Sequence, residues 1–230
     1  MKKKILLLDL CHTLVDGNTT FVFLDAFLKH NKRYQIFKKI KSLFIIRVIL
    51  KLCFKLGFDL NRKLAVFFLR GVCRDDLLLY ATRMAKEEFI YNQDILDVSG
   101  LIDRSNVDVY ILSASLDFIV EAVAKQFNFG FISTTMKYSD GVCSGCIDND
   151  ILFKKDQMLT ELLSKHHYND GTYIIFVSDN VEDFELLNKV DLGLAFINKS
   201  NSVFFSKRKM KAFSKQELIE ALNLENCGIQ

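Results

Sequence analysis

At 230 residues, 50% of them hydrophobic, the chain has the apolar content for a substantial core, and its net charge of +3 is too small to point to nucleic acid. Its six scattered cysteines exclude a disulfide scaffold and suit reduced thiols in a cytoplasm. Lys2-Lys3-Lys4 precedes only four apolar residues before Asp9, short of the roughly 7–15 of an export signal, so the mature chain is expected to start at Met1.

Residues 1–8 read as a buried parallel strand, because Ile5-Leu6-Leu7-Leu8 is a continuous apolar run ending in Asp9. Open α/β sheets bind ligands at such strand ends, which makes Asp9 a candidate nucleophile or metal ligand, although a strand-ending aspartate also serves turns and caps. Helical spacing runs through residues 20–89, with Phe21, Leu24, Phe27 and Leu28 on one face and Leu77, Tyr80 and Met84 on another. Strands and helices then alternate: strand 107–112, helix 117–127, strand 131–136, a hairpin over 138–147, helix 155–166, strand 173–177, helix 182–190 and strand 192–197. A basic tail with Lys207, Arg208, Lys209 and Lys211 ends in a helix over 215–224. This alternation predicts a Rossmann-like parallel sheet covered on both faces, formed by residues 1–16 and 95–230, with an all-helical cap inserted over 17–94.

The strand ends carry a coherent set of groups. Ser113 follows Val109-Tyr110-Ile111-Leu112, Lys155 opens a helix, and Asp179 follows Ile174-Ile175-Phe176-Val177 with Asp183 four residues on. Paired aspartates hold a hard cation, a hydroxyl donates to a phosphoryl oxygen, and a lysine neutralises developing charge.

With these residues in view the chain resembles the haloacid dehalogenase superfamily of phosphohydrolases, in its phosphoserine-phosphatase-like subclass with a helical cap. The first motif is similar to Asp9-Leu-Cys-His-Thr13-Leu-Val-Asp-Gly, the second to Ile111-Leu-Ser113-Ala114-Ser115, the third to Lys155 followed by Leu159, and the fourth to Ser178-Asp179-Asn-Val-Glu-Asp183. The resemblance covers nearly the whole chain. It implies that Asp9 attacks phosphorus to give an aspartyl-phosphate, while Thr13, Ser113 and Ala114 hold the phosphate and Lys155, or the adjacent Lys154, neutralises charge. Asp9, Asp179, Asp183 and the backbone carbonyl of Cys11 would hold Mg2+. The implied substrate is a small phosphorylated molecule, with a lipid phosphate among the candidates.

Cys11 departs from this pattern, since it stands where family phosphatases carry the aspartate that serves as general acid and then general base. A thiol has an unperturbed pKa of about 8.5 against about 3.9 for Asp and is a weak hydrogen-bond partner. Acid–base catalysis supplies typically 10²- to 10⁴-fold, so good leaving groups should suffer least. Three readings stay open: an enzyme whose water another group activates, a phosphoenzyme that passes its phosphoryl group to an acceptor, and a weak or inactive relative kept for phosphate binding or regulation. His12 is adjacent and should point away from Cys11. Ser115 either supports the phosphate loop or caps the following helix together with Asp117.

Cys143-Ser-Gly-Cys146 has a CxxC spacing but no second ligand pair, so hairpin residues are expected there. Lys38, Lys39, Lys41, Arg47, Lys51, Lys55, Arg62 and Lys63 face the single acid Asp59. Between them, residues 43–58 are too short and too charged for the about 20 apolar residues that cross a bilayer. This field reads either as the solvated edge of a packed helix or as peripheral contact with an anionic membrane, on the inner surface of a cytoplasmic protein's membrane. No nucleic-acid partner is expected.

Overall fold

The computed structural model describes residues 3–166, 168 and 171–222; residues 1–2 of the expected first strand and 223–224 of the expected last helix lie outside them. The apolar run near the N-terminus forms β1 (Lys4–Leu8), with Ile5 to Leu8 fully buried. It pairs in parallel with β2 (Val107–Leu116) on one side and β5 (Tyr173–Ser178) on the other. Beyond them lie β3 (Gly130–Ser139), parallel to β2, and β6 (Leu192–Ala195), parallel to β5. β4 (Val142–Asn149) runs antiparallel to β3, so the order is β4-β3-β2-β1-β5-β6. Because side chains alternate along a strand, Leu6 and Leu8 enter one apolar layer while Ile5 and Leu7 enter the other. The first layer is closed by α7 (Asp117–Phe127), and the second by α8 (Lys155–Lys165) and α9 (Phe184–Lys189).

Six helices lie between β1 and β2: α1 (Thr19–Phe27), α2 (Lys32–Lys41), α3 (Phe44–Lys55), α4 (Leu60–Val66), α5 (Arg74–Glu87) and α6 (Gln93–Gly100). In a proline-free chain they are punctuated by caps. Asn18, Asn31, Asp59 and Asn92 each accept a hydrogen bond from the backbone N–H three residues on, which satisfies a donor that the helix start leaves unpaired. The later helices pack on the sheet domain. α5 lies on α7 with an Arg74–Glu121 ion pair, and α6 lies on α11 (Lys215–Leu222), where Lys215 Nζ is 2.6 Å from Asp97.

The β3–β4 hairpin ties the inserted helices to the sheet. Cys143 N donates to Val72 O, Gly71 N to Cys143 O and Arg74 N to Gly141 O, each at 2.8 Å. Gly145 is required at this junction, because its φ is +76° and a Cβ would lie 2.8 Å from the Phe67 carbonyl oxygen. Cys143 is buried and Cys146 exposed along this hairpin, as strand alternation dictates.

The structure departs from the sequence reading in several places, and β3 and β4 run longer than the expected strand 131–136 and hairpin 138–147. β2 runs on to Leu116 through a register shift between Ser113 and Leu116. The expected helix over 182–190 is a 3-10 turn, Val181–Asp183, followed by the short α9. β6 stops at Ala195, since Phe196 and the residues after it turn to bond the end of β5 and the Asp179 loop. The tail holds a further helix, α10 (Ser202–Lys207), recruited because it buries Phe205 beneath the sheet.

Candidate active site

The register of the parallel strands brings the predicted groups to one edge. Leu8 of β1 is level with Ile111 of β2 and Val177 of β5, so Asp9, Ser113 and Asp179 emerge together at the C-terminal ends. After Asp9 the chain curls back, with Leu14 N donating to Asp9 O and Val15 N to Leu10 O, and His12 adopts φ +53° at the bend. That turn buries Thr13, whose Oγ1 accepts from Asp179 N at 3.0 Å and fixes the first loop to the fourth. Lys155, at the start of α8, is buried with Nζ 3.0 Å from Asp9 Oδ1 and 2.6 Å from Asp183 Oδ2, while Lys154 stays exposed. Ser178 Oγ donates to the same Asp183 oxygen at 2.6 Å.

Two buried carboxylates, Asp9 and Asp183, therefore share one ammonium, with the half-buried Asp179 beside them. Burial, and next the charge of Asp9, push the Asp179 carboxyl up to about 7. Burial and Asp9 push Asp183 up to about 6 against the pull of Lys155. An excess of hard oxygen donors over cations is the deficit that a bound Mg2+ removes, so the donor set fits that ion. The three acids are not arranged as a ready cage: among the described residues, no group of three His, Cys, Asp or Glu side chains is set to hold a metal. Lys155 and Ser178 both contact Asp183 Oδ2. The resemblance implies metal ligation by Asp183, whose Oδ2 lies 2.6 Å from Lys155 Nζ in this structure. Asn198 Nδ2 donates to Asp179 Oδ2 at 3.1 Å and Asn201 Nδ2 to the Asp179 carbonyl at 2.6 Å, orienting the remaining carboxylate.

A family model described as haloacid dehalogenase-like hydrolase matches residues 6–188 of this chain. The chain belongs to that family. No curated protein matches it. Among solved structures it is similar to a haloacid dehalogenase family hydrolase from Salmonella enterica subsp. enterica serovar Typhi, with TM-score 0.68 and 16% identity over 99% of this chain and 72% of that one. A protein of unknown function from Bordetella pertussis Tohama I aligns with TM-score 0.73 and 18% identity, covering 94% and 100% of the two chains. A phosphoserine phosphatase captured as a phospho-aspartyl intermediate analogue aligns with TM-score 0.62 and 16% identity over 96% of this chain and 99% of that one. At these identities the likeness establishes a shared fold.

Within this haloacid dehalogenase fold the Cys11 thiol is held by two hydroxyls. Sγ lies 3.1 Å from Ser115 Oγ and 3.3 Å from Thr19 Oγ1, those hydroxyls are 2.7 Å apart, and Thr19 N donates to Sγ at 3.4 Å. Burial and the neighbouring charge of Asp9 push the thiol up from its ordinary value. It is therefore a neutral thiol at pH 7, unable to act as a base. Ser115 is committed to this cluster and does not cap α7. Its cap position is Leu116, without a side-chain bond, and Asp117 accepts instead from Tyr138 Oη at 3.1 Å.

Asp9, Cys11, His12, Ser113, Ala114, Lys155 and Asp179 line one cavity of about 210 Å3, roofed by Phe21 of α1, Phe54 of α3 and Arg62 of α4. Arg62 is the residue that sequence reasoning misplaced. Counted among the surface cations, it is 4% exposed and bridges the inserted helices to the sheet domain, donating to the Ala114 carbonyl and to Asp150. Its signal was Asp59 three residues before it, which caps α4 and lies 3.6 Å from its Nε. Arg62→Met should cost about 1.5–3 kcal/mol, the worth of hydrogen bonds from a buried guanidinium to half-buried acceptors, read as a lowered urea midpoint. A shift below about 0.5 kcal/mol would show that the bridge carries no load.

Proposed function

We propose that this protein is a Mg2+-dependent phosphomonoester hydrolase working through an aspartyl-phosphate on Asp9. What supports this most directly is the position of Asp9, at a parallel strand's C-terminal end, 3.0 Å from a buried lysine and at the wall of a cavity shared with Ser113 and Asp179. An Asp9 oxygen attacks phosphorus as the bond to the leaving oxygen breaks, the leaving group takes a proton, and water then releases phosphate and restores the carboxylate. Ser113 Oγ and the backbone around Ala114 receive the phosphoryl oxygens, and Lys155 offsets their charge as it builds. Asp9, Asp179 and the Cys11 carbonyl are the groups that would hold Mg2+, which supplies a Lewis acid for the phosphoryl oxygens. Thr13 acts by locking the two loops, and Asp183 by holding Lys155. The inserted helices, residues 17–94 in this reading, act as a cap that excludes water and selects a small phosphorylated substrate in the cytoplasm. The phospho-aspartyl form of the phosphoserine phosphatase with this fold is the state expected on Asp9.

Since a neutral thiol protonates a leaving group poorly and activates water poorly, aryl phosphates should turn over much faster than alkyl phosphates. Cys11→Asp should raise the alkyl rate by about 10²-fold and the aryl rate far less. An equal effect on both would remove the acid–base assignment, and no aryl turnover with Mg2+ in the natural protein would favour a phosphate-binding or regulatory protein. The unreactive thiol also favours a second reading, phosphoryl transfer from a persistent phosphoenzyme. Rapid quench showing full-occupancy aspartyl-phosphate, discharged by an added alcohol but not by water, would establish it.

Mg2+ must displace the proton from Asp179, which is raised to about 7 by burial and Asp9, with Lys155 opposing and Asp183 adding to the shift. The deprotonated fraction falls from most of the population at pH 8 to a minority at pH 6. Calorimetric Mg2+ affinity should therefore weaken about tenfold between those values. Equal affinity at both would exclude Asp179 as the titrating ligand.

A further inference from the structure

Helix α3 is apolar on two faces, and only one of them meets the protein. Ile46, Leu50, Cys53 and Phe54 turn inward and are half-buried against α2 and α4. Phe44, Ile45, Val48, Ile49, Leu52 and Leu56 form an outer arc of ~140° at helical spacing, and none of the helix's residues is buried. Phe44 is 79% exposed, Ile45 71% and Leu56 84%. With side chains of roughly 150–200 Å2, the arc exposes on the order of 700 Å2, above the ~300–600 Å2 of the largest patch on an ordinary monomer. Exposed Leu43 and Phe58 extend it at both ends, and Ile36 and Ile40 of α2 stand exposed nearby.

Arg47, Lys51 and Lys55 run along one border of the arc at four-residue spacing, and none has an ion pair among the described residues. Lys39, Lys41 and Lys63 add to the field, Lys38 is paired with Asp25, and the one acid between residues 29 and 70, Asp59, is spent on capping α4 and on Arg62. An apolar face edged by unpaired cations matches a surface that offers hydrocarbon below a layer of anions. At 12 residues α3 is ~18 Å long, and no helix among the described residues is long and apolar enough to cross a membrane. The helix must lie in the plane of such a surface.

We propose that α3 docks the protein on an anionic lipid bilayer, with the Phe44–Leu56 arc in the interface and Arg47, Lys51 and Lys55 against lipid phosphates. Phe54, on the inner face of the same helix, lines the cavity and packs against Phe153, with ring centroids 5.7 Å apart. Docking therefore brings the cavity wall to the headgroup layer.

The full-length protein is sedimented with vesicles of phosphatidylglycerol and phosphatidylcholine, and with phosphatidylcholine alone. Binding is expected to the mixed vesicles only and to fall steeply with salt. Substituting Arg47→Gln, Lys51→Gln and Lys55→Gln together should lower the partition coefficient about 100-fold, and Phe44→Ser with Ile45→Ser and Leu52→Ser at least about tenfold. Because all these side chains are exposed, both variants should keep the natural melting temperature, checked in parallel. Equal binding to neutral vesicles, no binding at low salt, or a concentration-dependent dimer that the serine variant abolishes would each overturn the proposal. Sedimentation needs no turnover, so its failure leaves the phosphatase reading untouched.

Discussion

Asp9→Asn should lower aryl phosphate turnover by at least about 10⁴-fold, on the scale of nucleophile losses in other enzymes, and should leave no acid-precipitable phosphoenzyme. Substitution of a nucleophile by its amide changes one atom and no volume. The side chain is almost fully buried beside Lys155 and near Asp179 and Asp183, both of whose carboxyls are pushed up partly by its charge. Removing that charge relieves repulsion among the acids while Asp183 still holds Lys155, so the variant should unfold within about 1 kcal/mol of the natural chain, or be more stable. Lost activity with retained stability is the signature of chemistry at Asp9. Turnover that survives the substitution would assign the nucleophile elsewhere.

Lys155→Met should do the opposite to stability and also abolish turnover. Burial by itself lowers the lysine, but Asp183 and Asp9 together hold it above its ordinary value. The lysine's own titration therefore withdraws its contribution only on the alkaline side, above the ordinary lysine range of about 10.4, and any loss at lower pH comes from protonation of its carboxylate partners. Deleting it strands two buried carboxylates, a change that costs about 3–5 kcal/mol at neutral pH. The deficit has a direction with pH. Asp183 already titrates at about 6 with the lysine present, so without it the acids take up protons more readily and the penalty is relieved as pH falls. Urea denaturation in EDTA should show a larger gap between variant and natural chain at pH 7.5 than at pH 5. A pH-independent gap would mean that the lysine stabilises by packing alone.

Much of this arrangement was legible from short-range patterns. Ile5-Leu6-Leu7-Leu8 ending in Asp9, Val109-Tyr110-Ile111-Leu112 ending in Ser113, and Ile174-Ile175-Phe176-Val177 ending near Asp179 are buried parallel strands whose ends must lie on one edge. Element types followed from periodicity, and the family from four motifs in order. Boundaries were harder in a chain without proline, because the Asn and Asp caps that divide the helices are as common in loops as at helix starts. Ser115 shows the same limit. A serine before a helix is ordinarily a cap, yet this one serves Cys11 and Thr19 because the register shift in β2 turns it inward.

The sequence by itself determined which residues bear reactive groups, which strands carry them, and that Cys11 stands where an aspartate is expected, since all three depend on residue type and local spacing. Only the tertiary structure decided what each group faces. It committed Asp183 to Lys155, buried Arg62 as a bridge to Ala114 and Asp150, kept the Cys11 thiol neutral through burial and the nearby Asp9 charge, and left α3 with an uncovered apolar face. Those outcomes depend on contacts between segments as much as 104 residues apart, and on the burial they create. A side chain's charge state and partners are set by that surrounding, which no local pattern encodes.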